Sequence, residues 1–142
     1  MKVNELRIGN LVKYEGLNCL VLAVASHVVD WDLELGYFPD SIGFQRKIED
    51  VKPIPITEGR LKDFGFEKKP PLFESYPLHP YWVKDGVCLF FNESDSRDIY
   101  LLGYAEMRIG KYYATANKWT QSLHVLQNYY FAHTEKELTV NE

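Results

Sequence analysis

The feature that most constrains the fold is an Asp-Gly pair between two apolar runs in the second half of the chain. Residues 81–84 and 87–91 are rich in aromatic and β-branched side chains, and Asp85-Gly86 stands between them. This dipeptide favours the two positive φ angles of a type I′ turn, whose twist matches that of paired strands. The sequence therefore predicts a β-hairpin over residues 81–91.

The segments after this hairpin predict more strands and one substantial helix. Residues 92–98 form a polar loop, residues 99–102 a third strand, and 105–109 and 112–114 are candidates for others. Together they predict an antiparallel meander. Residues 120–133 have helical periodicity, and one face collects the side chains Leu123, Val125, Leu126, Tyr129, Tyr130 and His133. We expect this face to cover the meander, with His133 hydrogen-bonded at the edge of the core.

The first third of the chain favours short strands separated by turns. Residues 19–29 predict a buried strand, and residues 30–36 alternate acidic with apolar side chains, which places the carboxylates on one face. Pro53 and Pro55 lack ladder donors, so residues 51–56 predict an edge or a linker. The opening Ile8-Gly9-Asn10-x-Val12 resembles the first strand of SH3-like small barrels.

The fold class that follows is α+β in one compact body. We predict a small β-barrel-like unit over residues 1–56, then a unit over 57–142 in which an antiparallel meander packs against one C-terminal helix. Between them, Thr57 as N-cap and Gly65 after the last turn predict a short helix over 57–64.

The charge balance argues against a general affinity for nucleic acid. The chain has 142 residues, 46% of them hydrophobic, and a formal net charge of −4. Neither half is basic, whereas phosphate binding needs clustered Lys and Arg. A nucleic-acid-binding barrel stays an alternative through one stretch of basic residues, namely Arg46, Lys47, Lys52, Arg60 and Lys62.

Chemical motifs are sparse, which argues against an enzyme. The histidines and cysteines lack metal-ligand spacing, and no phosphate-binding loop or nucleophile motif is present, so we expect no metal and no cofactor. A small hydrolase or ligand-sequestering protein is the remaining alternative.

Cys19 and Cys88 lie in apolar runs and are expected to be buried. Without an apolar leader or a run of roughly 18 apolar residues, we expect a cytoplasmic protein with no membrane partner.

The predicted helix also has a polar face, which is the candidate binding surface. It consists of Gln121, His124, Gln127 and Asn128, with Phe131 beside them. Amides and an imidazole can recognise hydrogen-bonding partners without net charge, and Phe131 is a candidate anchor for a protein partner. The alternative is a second buried side of the helix, with the amides capping loops.

Three blocks of sequence resemble a family of small uncharacterised proteins from gut anaerobic bacteria and their phages. They are the opening NELRIGNLV from Asn4, the middle PIPITE from Pro53 and the closing LHVLQNYYFA from Leu123, the last followed by Thr134, Glu137 and Leu138. The resemblance implies a phage or mobile-element accessory protein and no catalytic residue. Our leading hypothesis is a non-enzymatic protein of phage or prophage origin that acts through contacts with a host or phage protein. A homo-oligomer is left open, because aromatic-rich sheet edges need covering.

Overall fold

The computed structural model describes residues 1–25, 31–37, 43–69, 81–91, 100–108 and 111–139, with the backbone alone for residues 91, 105–108 and 111–118. The chain divides into two compact units. Unit 1 comprises Met1–Pro55 and Ser122–Asn128, and unit 2 comprises Ile56–Gln121 and Tyr129–Glu142. The sequence-based boundary after residue 56 did not anticipate that residues 122–128 belong with the first unit.

Unit 1 is built on a five-stranded antiparallel sheet. Its strands are β1 (Leu11–Tyr14), β2 (Leu17–Val24), β3 (Leu33–Tyr37), β4 (Gly43–Arg46) and β5 (Val51–Lys52), in the order β4-β3-β2-β1-β5. One 3-10 turn, Val3–Glu5, precedes β1 and another, Ile48–Asp50, precedes β5. Between β1 and β2, Glu15 and Gly16 both have positive φ, +47° and +79°, as a type I′ turn requires.

One face of this sheet forms the core of unit 1. The alternation predicted at residues 30–36 is confirmed for Leu33 and Leu35, which are fully buried on either side of the half-buried Glu34. Asp30 and residues 26–29 of the predicted buried strand lie outside the described residues. The buried cluster consists of Leu6, Val12, Tyr14, Cys19, Val21, Leu33, Leu35 and Val51.

The barrel-like form predicted for this unit is not confirmed. Strands β4 and β5 stand at opposite ends of the sheet, and no pairing within the described ranges joins them. The edge position predicted for residues 51–56 is confirmed for β5, which is the last strand on one side of the sheet. The prolines that follow β5 have no amide hydrogen to donate to a further strand. The fold is α+β, with two antiparallel sheets and one main helix.

Unit 2 opens with the predicted short helix, α1 (Glu58–Asp63). The Thr57 hydroxyl accepts a hydrogen bond of 3.2 Å from the Arg60 amide, so Thr57 is the N-cap. At the other end Gly65 has φ +87°, and the amides of Gly65 and Phe66 donate to the carbonyls of Lys62 and Leu61. This is a Schellman motif, in which glycine relieves the strain of the left-handed residue.

An antiparallel meander follows α1, as predicted; it has five strands, the first of which lies in a segment that was predicted to be a connection. The strands are β6 (Glu67–Lys69), β7 (Tyr81–Lys84), β8 (Val87–Phe91), β9 (Tyr100–Arg108) and β10 (Lys111–Thr120), and each pairs antiparallel with the next. The hairpin at Asp85-Gly86 is confirmed, with φ +49° and +85°. The short strands predicted after residue 99 are two long ones, β9 and β10, and the predicted polar loop 92–98 lies outside the described residues.

The closing helix is α2 (Leu123–Thr134), which begins three residues later than predicted. Thr120 still pairs with Tyr100 in β9, and Ser122 forms an isolated bridge with Pro55, so the backbone stays extended up to that point. Within unit 2, Tyr130 of α2 is hydrogen-bonded to Asp85 of the meander, as expected of a helix that covers it. Leu123, Val125 and Leu126, which were predicted to share this role, belong instead to unit 1. His133 is a correction, because it is exposed and stacks on the Tyr104 ring, with centroids 4.8 Å apart, instead of entering the core.

Candidate functional site

A tight turn at Arg7–Asn10 positions the residues that the polar helix face contacts. The Asn10 amide donates to the Arg7 carbonyl at 3.0 Å, and Gly9 between them has φ +95°, a conformation that favours glycine. The Asn10 side chain is fully buried, and its Oδ1 accepts a 2.8 Å hydrogen bond from the Arg7 amide. Side chain and backbone therefore hold the same turn closed.

Two amides of α2 hold this turn from the helix side. Asn128 Oδ1 accepts from Asn10 Nδ2 at 2.8 Å and from Arg7 Nε at 3.1 Å, while its Nδ2 donates to the Glu5 carbonyl at 2.8 Å. Gln127 Oε1 accepts from the Leu11 amide at 2.8 Å. We call this arrangement, formed by Arg7, Asn10, Gln127 and Asn128, the amide clamp.

The third polar residue of the helix face also points into unit 1. His124 is 1% exposed, and its Nε2 lies 3.5 Å from Glu5 Oε2. The face predicted to recognise a partner thus has His124 and Gln127 buried and Asn128 half-buried. Gln121 is exposed and Phe131 is 37% exposed. Whether any of the five contacts a partner stays a prediction.

A second cluster, in unit 1, was not found from the sequence. The Phe44 ring lies 4.9 Å from the Tyr37 ring and 5.5 Å from the Tyr14 ring, measured between centroids. The Arg46 guanidinium lies over Phe44 at 4.7 Å and over Tyr14 at 5.0 Å. We call these four residues the aromatic strip.

Hydrogen bonds fix the arginine within the strip. Arg46 Nε donates to the Tyr14 hydroxyl at 2.7 Å, and Nη1 donates to the Gln45 carbonyl at 2.6 Å. The bond to Tyr14 raises the pKa of Arg46 further above its usual range, so this cation is permanent. Tyr37 is the exposed end of the strip, with 40% of its surface open to solvent. The strip can offer a partner an aromatic ring beside a fixed positive charge.

The basic residues predicted for nucleic acid belong to two different units. Arg46, Lys47 and Lys52 lie in unit 1, whereas Arg60 and Lys62 lie in α1 of unit 2. Lys47, Lys52 and Lys62 are exposed. By sequence, unit 1 carries six basic against eight acidic residues.

Unit 2 has its own polar contact around Tyr130. The Tyr130 hydroxyl is hydrogen-bonded to the Asp85 carboxylate in the hairpin turn, and Lys84 Nζ donates to the Phe64 carbonyl at 2.6 Å. Burial, and then the bond to Asp85, raise the pKa of Tyr130 to about 12. These contacts join α2, the hairpin and the end of α1, which is a structural role.

The remaining observations bear on catalysis and on membranes. Cys19 and Cys88 are buried and unpaired by disulfide, and burial raises the pKa of both thiols, that of Cys88 to about 11. In the part of the chain that the structure describes, no three His, Cys, Asp or Glu side chains gather as a metal site would require. In the same ranges, no helix has the length and apolarity to cross a membrane.

Comparison of the chain with protein-family models, with curated proteins and with solved structures found no match. The candidate site therefore rests on its own geometry. Sequence reasoning missed the aromatic strip because Tyr37 and Phe44 meet only through the pairing of β3 with β4, where Leu35 lies opposite Phe44. Only the turn itself could have been suspected from Gly9-Asn10, since these residue types favour turns in which the Asn side chain bonds the local backbone.

Proposed function

We propose that the chain is a non-enzymatic accessory protein of phage or prophage origin that binds another protein through the aromatic strip, in the cytoplasm of the bacterial host. The observation that carries the proposal is the exposed Tyr37 ring packed at a tilt against the Phe44 ring, over which the Arg46 guanidinium lies. The phage origin rests on the resemblance of the three sequence blocks.

The strip has the chemistry of a protein-binding anchor. Tyr and Arg are enriched among the residues that dominate interface energies, because each buries a large flat surface and also makes hydrogen bonds. Arg46 is already held by Tyr14 and the Gln45 carbonyl, so binding would cost little side-chain entropy there. By contrast, the side-chain amides of Gln127 and Asn128 are engaged within unit 1.

The proposal includes an open small barrel for unit 1. The strand order β4-β3-β2-β1-β5, with a 3-10 turn between β4 and β5 along the chain, is compatible with such a barrel. Arg46 of β4 bonds Tyr14 of β1, although these strands are not neighbours in the sheet. This contact supports a curled sheet whose open side carries the strip.

Nucleic-acid binding is the second candidate, and Arg46 is the observation that favours it. Aromatic rings beside an arginine can stack unpaired bases and pair with phosphate. The excess of acidic over basic residues in unit 1 opposes it, since a negatively charged surface repels the phosphate backbone. We therefore place the protein partner first.

The test is affinity capture from a lysate of the bacterial host with matched variants. We expect wild type and Leu17→Ala to retain the same protein, and Tyr37→Ala to lose it. Leu17 is a fair control because it lies in the same unit and is 55% exposed. Retention that nuclease abolishes, and that fades between about 50 and about 500 mM salt, would favour nucleic acid. Equal retention by all three proteins would refute the aromatic strip as the site.

A further inference from the structure

The guanidinium of Arg46 has hydrogen-bond donors that unit 1 leaves unused. Its Nε donates to the Tyr14 hydroxyl and its Nη1 to the Gln45 carbonyl. A guanidinium carries five N–H groups in a planar fork, so three remain after these two bonds. Among the described residues Nη2 has no acceptor, and Arg46 is only half-buried. A fork of this kind binds a carboxylate in shape as well as in charge.

The positive charge and the exposed ring of the aromatic strip lie close enough for one short segment to contact both. The Arg46 guanidinium lies 4.7 Å from the centroid of the Phe44 ring, and the Tyr37 ring lies 4.9 Å from the same centroid. Two residues of an extended segment span about 7 Å, and their side chains lie on the same side. Residues three or four apart on a helix also share a side. Either arrangement spans a comparable distance.

We propose that the partner segment carries a carboxylate that pairs with Arg46 and, on the same side, an apolar side chain that packs on Tyr37. This inference rests on the proposed function, because it names the chemistry that the aromatic strip recognises. The Tyr37 ring is 40% exposed and supplies the apolar contact. The guanidinium is held in place by Tyr14, so its unused donors have a fixed direction.

The charges around Arg46 favour a single carboxylate over an acidic tract. The pKa of Arg46 is raised first by the bond to Tyr14, and one of the smaller causes is the negative charge of Glu15. Unit 1 as a whole has eight acidic against six basic residues. A long run of carboxylates or phosphates would be repelled by this surface, whereas one carboxylate in contact with the guanidinium gains a charged hydrogen bond.

The test is the selection of random linear peptides on the full chain. We expect the peptides that bind wild type and lose binding to Tyr37→Ala to carry one acidic residue two to four positions from an apolar residue. Each is then synthesised with that Asp or Glu replaced by Asn or Gln. The amide version should bind wild type about ten-fold more weakly, because a hydrogen bond to a charged group is lost. This replacement leaves the fold of the protein untouched.

Variants of the protein give a second measurement. The acidic and amide peptides should bind Arg46→Gln equally. Glu15→Gln should strengthen binding of the acidic peptide by about two-fold and leave the amide version unchanged, because it removes a negative charge near Arg46. Glu49→Gln makes the same change in net charge at an exposed site of unit 1, and it should have no effect.

The outcomes separate this inference from the proposed function. If peptides that require Tyr37 lack acidic residues, or bind equally well as amides, the inference is overturned while the aromatic strip stays the binding site. Tighter binding of acidic tracts, or equal effects of Glu15→Gln and Glu49→Gln, would overturn a single carboxylate at Arg46. If no selected peptide requires Tyr37, the aromatic strip itself is overturned.

Discussion

The side-chain amides of Asn10 and Asn128, 118 positions apart in the chain, are joined by a hydrogen bond of 2.8 Å. Asn10 lies in the opening block of sequence and Asn128 in the closing block, and the middle block joins the closing one through Leu123, whose amide donates to the Ile54 carbonyl. Segments distant in sequence thus meet within unit 1. The opening, middle and closing blocks therefore include contacts that hold this unit together.

The amide clamp should matter for stability. We expect Asn128→Ala to lower the free energy of unfolding by about 2–3 kcal/mol, because it leaves buried groups of Asn10 and the Glu5 carbonyl without their partner. Urea denaturation measures the change. Gln121→Ala, at an exposed site, should stay within about 0.5 kcal/mol. Equal small effects would show that the clamp contributes little.

Replacing each of two glycines by alanine should change the free energy of unfolding in opposite directions. Gly9 has φ +95°, so Gly9→Ala should destabilise by about 1–2 kcal/mol. Gly59 lies in α1, and the nearest atom to an added Cβ is Thr57 Oγ1 at 3.9 Å. Gly59→Ala should therefore stabilise by up to about 1 kcal/mol. The thermal unfolding midpoints of both variants test this prediction. If Gly9→Ala left the midpoint unchanged, the turn would have to tolerate another backbone conformation.

Tyr130 should make stability fall at high pH. Its pKa is raised to about 12, while an unfolded tyrosine ionises near 10. Between pH 10 and pH 12 the folded state keeps the Tyr130 proton, whereas the unfolded state loses it. The contribution of the protonated tyrosine to the free energy of unfolding is therefore fully present below pH 10 and is lost as the pH approaches 12. We expect wild type to lose about 2 kcal/mol more than Tyr130→Phe over this window, by urea denaturation at each pH. Parallel pH profiles would contradict the assigned pKa.

The alkylation rates of the two cysteines should measure the local opening of each unit separately. Burial raises the pKa of both thiols, so neither should be alkylated quickly at pH 8 in the folded protein. Cys19 lies in unit 1 and Cys88 in unit 2. Asn128→Ala should accelerate alkylation of Cys19 more than of Cys88, and Tyr130→Phe should do the reverse. Mass spectrometry of alkylated peptides measures both rates, and equal acceleration would show that the units open together.

Much of the fold could be predicted because its signals are local. The turns at Glu15-Gly16 and Asp85-Gly86 and the end of α1 at Gly65 depend on positive φ angles, which neighbouring residues reveal. The predicted start of α2 was wrong because Ser122 forms a bridge with Pro55, a contact between distant segments that keeps the backbone extended.

The candidate site could be predicted only in part. Periodicity identified the polar helix residues but could not show that Gln127 binds the Leu11 amide, 116 positions away. The aromatic strip depends on strand register and on the contact of β4 with Tyr14, which no local pattern encodes. Residue type indicated the chemistry, while tertiary contacts decided which groups are exposed.

The most direct test of the account is hydrogen exchange of the full chain with and without the captured partner protein. Binding through the aromatic strip predicts slower amide exchange at residues 33–37 and 43–46, reduced or absent with Tyr37→Ala. Unchanged exchange in both strands, with protection confined to unit 2, would contradict the proposal that the strip is the binding site.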